Sequence, residues 1–241
     1  MNINKVKIKF SSKKYKSSID NLNFKGIFEP TQTSKELIKL STKYLKNNQK
    51  ILDLGCGGGI VSYNLKKNSL GQKFYLSDIS LKATQIATKN LEKRIFNSEI
   101  KTGDCFEPWK GYKFNLIIND VSGVSSKVAK LSPWFKNVPF DKSEDGIRLL
   151  SKVLKKCKNH MAKTSYIFFP IISLSNVTKA KKIMNKYLKI IKINKIEWPL
   201  PIKMYKHQKT LNLLKKRKKI DFETKYNMIV CYTLIVTAKI K

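Results

Sequence analysis

The residues of this chain best suited to chemistry are Asp53-Leu54-Gly55-Cys56-Gly57-Gly58-Gly59. They follow a short apolar run at 51–54 and precede an apolar-periodic stretch from Ile60, so the glycines fall where a strand turns into a helix. Glycine at such a turn lets the backbone approach a ligand closely, and the helix N-terminus aims amides at it. A nucleotide-containing cofactor is the natural occupant. Two common fingerprints do not fit. The nicotinamide pattern needs Gly or Ala three places after its second Gly, where Ile60 or Ser62 stands, and no G-x-x-x-x-G-K-[ST] occurs. Further along, Asp78 closes the next strand, where a carboxylate can accept hydrogen bonds from both ribose hydroxyls.

Other chemistries find little support. His160 and His207 have no nucleophile motif beside them, which argues against a hydrolase triad. Cys56, Cys105, Cys157 and Cys231 form no C-x-x-C pair and have no histidine at ligand spacing, so neither a metal site nor a disulfide framework is expected. They read as reduced, mostly buried thiols.

The glycine loop resembles in full the D-x-G-x-G-x-G first motif of S-adenosylmethionine-dependent methyltransferases. Three more segments occur in matching order: Gly26-Ile27-Phe28-Glu29-Pro30 with Thr31 and Thr33, Gly103-Asp104-Cys105-Phe106-Glu107-Pro108, and Ser143-Glu144-Asp145-Gly146-Ile147. Over roughly residues 24–175 the chain is thus similar to the methyltransferase small-domain group, and within it to the HemK-type enzymes that methylate a glutamine side chain in peptide-release factors. The resemblance implies S-adenosylmethionine held by Asp53, Gly55, Cys56, Gly57, Gly59, Asp78, Ile79, Asp104, Cys105 and Asn119. It places Asp104 beside the adenine, and Asp53 beneath the loop, orienting its amides.

One departure separates this chain from that group. Where the glutamine and adenine amino methyltransferases carry N-P-P-Y, it has Asn119-Asp120-Val121-Ser122. In that motif the Asn oxygen and the next carbonyl accept the two hydrogens of a planar NH2, and the ring packs on its plane. Asn119 and the Asp120 carbonyl can do the first job, but Ser122 supplies no ring. Asn119 and Asp120 are the candidate catalytic residues, Asp120 as a general base or a cation-binding carboxylate. Trp134, Phe135 and Phe140 are candidates for lining an acceptor pocket or stacking on a base.

Composition adds a partner. The chain has 241 residues and a formal charge of +34, from 50 Lys and Arg against 16 Asp and Glu. Such charge is costly unless a polyanion relieves it, so RNA or the ribosome is an expected partner, to which the family resemblance adds a release-factor substrate. Genome composition is the competing explanation, since only Arg94, Arg148 and Arg217 are arginine and Lys, Asn and Ile abound. The densest stretch, residues 179–219, holds fifteen Lys and Arg against Glu197 alone. Few arginines favour diffuse phosphate attraction over bidentate base readout. The longest apolar runs are too short to span a membrane and the N-terminus lacks an apolar leader, so a cytoplasmic protein without membrane attachment is expected.

Elements that position these residues follow from periodicity. Strands are expected at 51–54, 74–78, near Ile100, 114–119, 166–169, 190–198 and 228–237. Helices are expected from a Thr33-Ser34 cap, over 60–67 and 81–93, from a Ser143 cap with the stripe Ile147, Leu150, Val153, Leu154 and Cys157, and over 176–188. Residues 199–226 are expected to hold a small helix carrying Leu211, Leu213 and Leu214 ahead of Lys215. Strands alternating with helices imply an α/β fold with a parallel sheet covered on both faces. The resemblance makes it Rossmann-like and doubly wound, seven-stranded, with an antiparallel last strand. Residues 1–30 are expected to form an N-terminal extension or small hairpin, and 31–241 the methyltransferase domain.

The expected function is methylation of a nitrogen on a translation component, a protein glutamine amide or an RNA base. Alternatives are a small-molecule methyltransferase and a non-catalytic RNA-binding protein that keeps the fold.

Overall fold

A computed structural model of the chain describes residues 22–66, 71–92, 97–121 and 123–241. Of the N-terminal extension or small hairpin expected over residues 1–30, residues 1–21 lie outside the described residues, as does Ser122, and residues 22–30 form no strand.

Among the described residues eight strands form one sheet: β1 (Lys50–Leu54), β2 (Lys73–Asp78), β3 (Ser98–Thr102), β4 (Phe114–Asn119), β5 (Met161–Ile172), β6 (Leu188–Pro199), β7 (Glu223–Lys225) and β8 (Met228–Ile240). Their order is β3-β2-β1-β4-β5-β8-β6, with short β7 paired to β8. The first five run parallel to one another, and β8 runs antiparallel to both β5 and β6. The expected α/β architecture and antiparallel last strand are therefore present, with β7 as an eighth strand.

Helices cover both faces. On one face α1 (Gln32–Thr42), α2 (Ile60–Lys66) and α3 (Leu81–Glu92) share a core with Ile51, Leu116 and Ile118. On the other, α5 (Arg148–Lys156) and α6 (Val177–Tyr187), which follow the short α4 (Ser126–Leu131), share a core with Leu52, Leu54 and Ile117. Alternate residues of β1 and β4 thus serve opposite cores, as a pleat buried on both sides requires. Fully burying each such aliphatic side chain stabilises the fold by about 1.5–3 kcal/mol.

A third core sits beyond the strand ends. It joins Val128 and Phe135 of the segment after β4 to Leu200, Met204, Leu211 and Leu214 of the segment between β6 and β7. That segment contains a 3-10 turn, Ile202–His207, and α7 (Gln208–Lys216). The small helix is present, with Leu211 and Leu214 buried and Leu213 exposed.

Two helix starts differ from expectation. Thr31 caps α1, its Oγ1 accepting the Thr33 amide at 3.2 Å, while Thr33 and Ser34 lie inside the helix and are buried. Ser143 does not open α5, which starts at Arg148. The interruption is Gly146, at φ +66 and pressed against the Val124–Ser125 backbone. Asp141 reaches past it, and its Oδ2 accepts the Leu149 amide at 2.9 Å. Glu144 and Asp145 stay in the preceding loop, where they pair with Lys127, Lys219 and Lys179.

Candidate functional site

The chain leaves β1 toward β2 and β3 on one side and returns to β4 and β5 on the other, so the sheet order reverses between β1 and β4. Ligands of open α/β sheets bind at the carboxyl ends of the strands flanking such a reversal. A cavity of 820 Å³ lies there, bordered by Gly55 to Gly58, Asp78, Asp104 and Asp120 at one end and by Trp134, Phe135, Phe140 and Trp198 at the other. That volume lies within the range of small-molecule and cofactor sites.

Backbone bonds anchor the glycine loop. The Ser77 carbonyl accepts the amides of Gly55 and Cys56 at 2.8 and 3.0 Å, and the Cys56 carbonyl accepts Gly59 at 2.8 Å. The Ser77 hydroxyl accepts the indole N–H of fully buried Trp109 at 2.9 Å. Gly55 and Gly59, at φ +75 and +80, adopt the left-handed conformation these turns need. At Gly57 an added Cβ would project beside the cavity, with the Phe28 carbonyl 3.9 Å away as its nearest contact.

Asp78 takes the Gly57 amide at 3.0 Å on Oδ2 and the Ser80 amide at 2.9 Å on Oδ1. Burial raises its carboxyl above the usual range in spite of these bonds. Asp104 borders the same end and meets Lys152 at 2.6 Å. Partial burial opposes its ionisation, yet the Lys152 ammonium wins and holds the carboxyl below its ordinary value. Cys105 stands at φ +53, and burial pushes its thiol up to about 12. Ile79 is 57% exposed at the rim.

Asp53 does not hold the loop amides. It is fully buried, and its Oδ2 accepts the amide and hydroxyl of Ser62 in α2 at 3.2 and 2.8 Å, which fixes the helix against the strand. Burial raises its carboxyl to about 6. The loop amide is taken by Asp78 instead, because Gly57 turns toward the β2 end rather than back over β1.

The two candidate catalytic residues part company. Asn119 continues the face of β4 that carries Ile117, toward the α5 core, and its 1% exposed side chain does not border the cavity. Neither Oδ1 nor Nδ2 of Asn119 has a hydrogen-bond partner among the described residues. Asp120 does border the cavity. Its amide donates to the Leu54 carbonyl at 2.9 Å, and its Oδ2 accepts the Ser34 hydroxyl at 2.9 Å. Burial raises its carboxyl to about 7, opposed by the Ser34 bond and reinforced by the charge of Asp53.

Several wall residues were not legible beforehand. Phe24, Ile27 and Phe28 close the glycine-loop side, latched by Asn90, whose Oδ1 accepts the Asn23 amide and whose Nδ2 donates to the carbonyls of Asn23 and Gly58. Phe24 packs so closely on Gly58 that a Cβ there would lie 2.8 Å from its ring. Ser34 reads in sequence only as a helix cap, and Lys152 only as a solvated helix residue.

Comparison with known proteins agrees with this geometry. Residues 31–120 match the family model of the methyltransferase small domain. The matched segment resembles that domain. It carries α1, the glycine loop, Asp78, Asp104 and Asp120, so its bounds coincide with the polar end of the cavity. A ribosomal RNA small subunit methyltransferase C from Haemophilus influenzae (strain PittGG) is 34% identical over 109 residues, covering 43% of this chain and 32% of the relative. A release factor glutamine methyltransferase from Thermodesulfovibrio yellowstonii is 27% identical over 157 residues, covering 61% of this chain and 56% of the relative. The chain thus spans between about a third and just over half of these relatives' lengths. The structure of a ribosomal protein L11 methylase from Lactobacillus delbrueckii subsp. bulgaricus superposes with a TM-score of 0.53 at 13% identity, covering 87% of this chain and 80% of that one, which is a likeness of fold.

The lining of this cavity fits S-adenosylmethionine. Side-chain-free backbone at Gly57 borders the cavity, and carboxylates at the β2 end, after β3 and after β4 face the same space. Among the described residues no cluster of three or more His, Cys, Asp or Glu is arranged to hold a metal ion, and no helix is long and apolar enough to cross a membrane. All four cysteines are buried and unpaired. His160 is packed into structure, stacked on Phe106 at 4.3 Å with Nδ1 3.2 Å from the Tyr112 carbonyl.

Proposed function

We propose that this chain is an S-adenosylmethionine-dependent methyltransferase acting on a nitrogen of a translation component, a protein glutamine amide or an RNA base. One observation carries the reading: a single cavity joins the glycine loop and its acids to a chamber walled by Trp134, Phe135, Phe140 and Trp198. Cofactor and planar acceptor then share one space, which is the placement an in-line transfer needs. The bound cofactor supplies an activated methyl group on a sulfonium, and the protein contributes position and exclusion of water.

Each part of the wall has a task. Gly55, Gly57 and Gly59 bring backbone close to the cofactor, with Asp78 for the ribose hydroxyls and Asp104 and Ile79 beside the base. Phe28 and Phe135, 5.1 Å apart, and Phe135 and Phe140, 5.8 Å apart, make the aromatic surface absent from the chain after Asn119. That surface comes from residues 28 and 135–140 and replaces the ring of the N-P-P-Y motif in packing against a planar acceptor. Matches to relatives named for ribosomal RNA and for a release factor support a translation component.

Incubation with methyl-tritiated S-adenosylmethionine and, separately, ribosomes, transfer RNA, release factor and small amines tests the reading. Label in RNA or in a translation protein is the expected outcome. Label in small amines alone would overturn the substrate class, and failure to bind S-adenosylhomocysteine would overturn the cofactor.

A further inference from the structure

We infer that Asp120, oriented by Ser34, accepts the proton released when the acceptor nitrogen is methylated, so that this site takes acceptors whose nitrogen carries at least one hydrogen. The inference rests on the methyltransferase reading above. Asp120 borders the same cavity as the glycine loop and the aromatic residues, within the space a reacting nitrogen would share with the cofactor. Its backbone is tied to β1 through the Leu54 carbonyl and its Oδ2 to Ser34 of α1 at 2.9 Å, so Oδ1 is the oxygen left for the acceptor. Asn119, the other candidate, is 1% exposed and does not border the cavity.

The chemistry balances as follows. The nitrogen lone pair forms the N–CH3 bond while the S–CH3 bond breaks, and the sulfonium becomes a neutral thioether. The nitrogen, now bearing an extra substituent and positive charge, loses its N–H proton to Asp120 Oδ1. The neutral carboxylic acid then returns the proton to water at the cavity mouth once product leaves. Burial suits this role, since an acid poised near neutrality is the most effective acceptor at working pH. The groups that act on Asp120 are Asp53 on β1, a carboxylate, and Ser34 on α1, while Asp78 at the end of β2 borders the same cavity. Asp53 alone adds charge, and it disfavours the ionised form of Asp120.

Asp120→Asn keeps size and the ability to accept from Ser34 but cannot take a proton. Single-turnover transfer from tritiated S-adenosylmethionine to whichever of ribosomes, transfer RNA or release factor the wild type labels is expected to slow by about 100-fold in this variant. The wild-type rate should rise with pH and level off above about 7, and the variant should lack that rise. Ser34→Ala, which removes a bond that favours the ionised form, should move the rise to higher pH. S-adenosylhomocysteine affinity, measured by calorimetry, reports folding and is expected to stay within about threefold in Asp120→Asn. A variant that binds S-adenosylhomocysteine and transfers at the wild-type rate with the same pH profile would overturn the role of Asp120 and leave the methyltransferase reading standing. A wild type that transfers methyl to none of these acceptors would remove both.

Discussion

The carboxylate of Asp78 accepts the amide of Gly57 at 3.0 Å, so the acid expected to hold the cofactor ribose also holds the loop that cradles the cofactor. Two roles at one residue predict two losses. Asp78→Ala should weaken S-adenosylhomocysteine binding by ~1.5–3 kcal/mol, the scale of hydrogen bonds to a charged acceptor, and should lower the melting temperature as well. Calorimetry and thermal melts measure the two effects, and unchanged affinity would take Asp78 out of the site.

Gly55 stands at φ +75, and a Cβ there would lie 3.0 Å from the Val121 amide and Cγ1. Gly55→Ala is expected to destabilise the protein by ~1–3 kcal/mol, combining left-handed backbone strain with displacement of the chain just after Asp120. Urea denaturation reads the cost, which should exceed that of Gly111→Ala, where no atom would lie within 4 Å of the added carbon even though φ is +80.

Asp120 is partly buried, with its carboxyl raised to about 7, above the ordinary 3.8, so the folded state holds a proton that the unfolded state has lost. Its stabilising contribution is complete below about 3.8 and disappears as pH rises through about 7. Wild type should therefore lose stability relative to Asp120→Asn between pH 5 and 8, by on the order of 2 kcal/mol. Using the difference between the two proteins cancels His160, whose lowered value gives a trend of opposite sign, while Asp53, coupled to Asp120 through its charge, titrates in the same direction. Parallel urea curves at both pH values would contradict the prediction.

The run Lys215 to Lys219 is less uniform than its sequence. Lys215 donates to the Phe222 carbonyl and lies over its ring at 4.6 Å, and Lys219 pairs with Glu144 at 3.3 Å. Lys216, Arg217 and Lys218 are exposed. If these three touch phosphates, replacing them with Gln should make the log-log salt dependence of RNA binding shallower by about 2, at about 0.7 per contact on single strands. Fluorescence anisotropy across a salt series checks this, and identical slopes would assign the charge to genome composition. Cofactor affinity should be unaffected, since α7 lies away from the glycine loop.

The local pattern was enough for the parallel half of the sheet, the glycine loop and Asp78. Apolar runs buried on both faces, a strand-to-helix glycine turn and an acid at the next strand end are written in consecutive residues, because backbone geometry there is set by neighbours in the chain. It also located Trp134, Phe135 and Phe140 at the cavity wall, as residues too large and apolar to be left in water.

Contacts across long separations were decided only by packing. Ser34 and Asp120 lie 86 positions apart, and nothing in either segment announces their hydrogen bond, which exists because α1 crosses the end of β4. Lys152 reaches Asp104 over 48 positions for a similar reason, since α5 lies against the loop after β3. Neighbouring Asn119 and Asp120 look equivalent in sequence, yet the strand pleat sends the first into an apolar core and leaves the second at the cavity. Side-chain direction at a strand end depends on which face each partner helix covers, and that is a property of the assembled sheet.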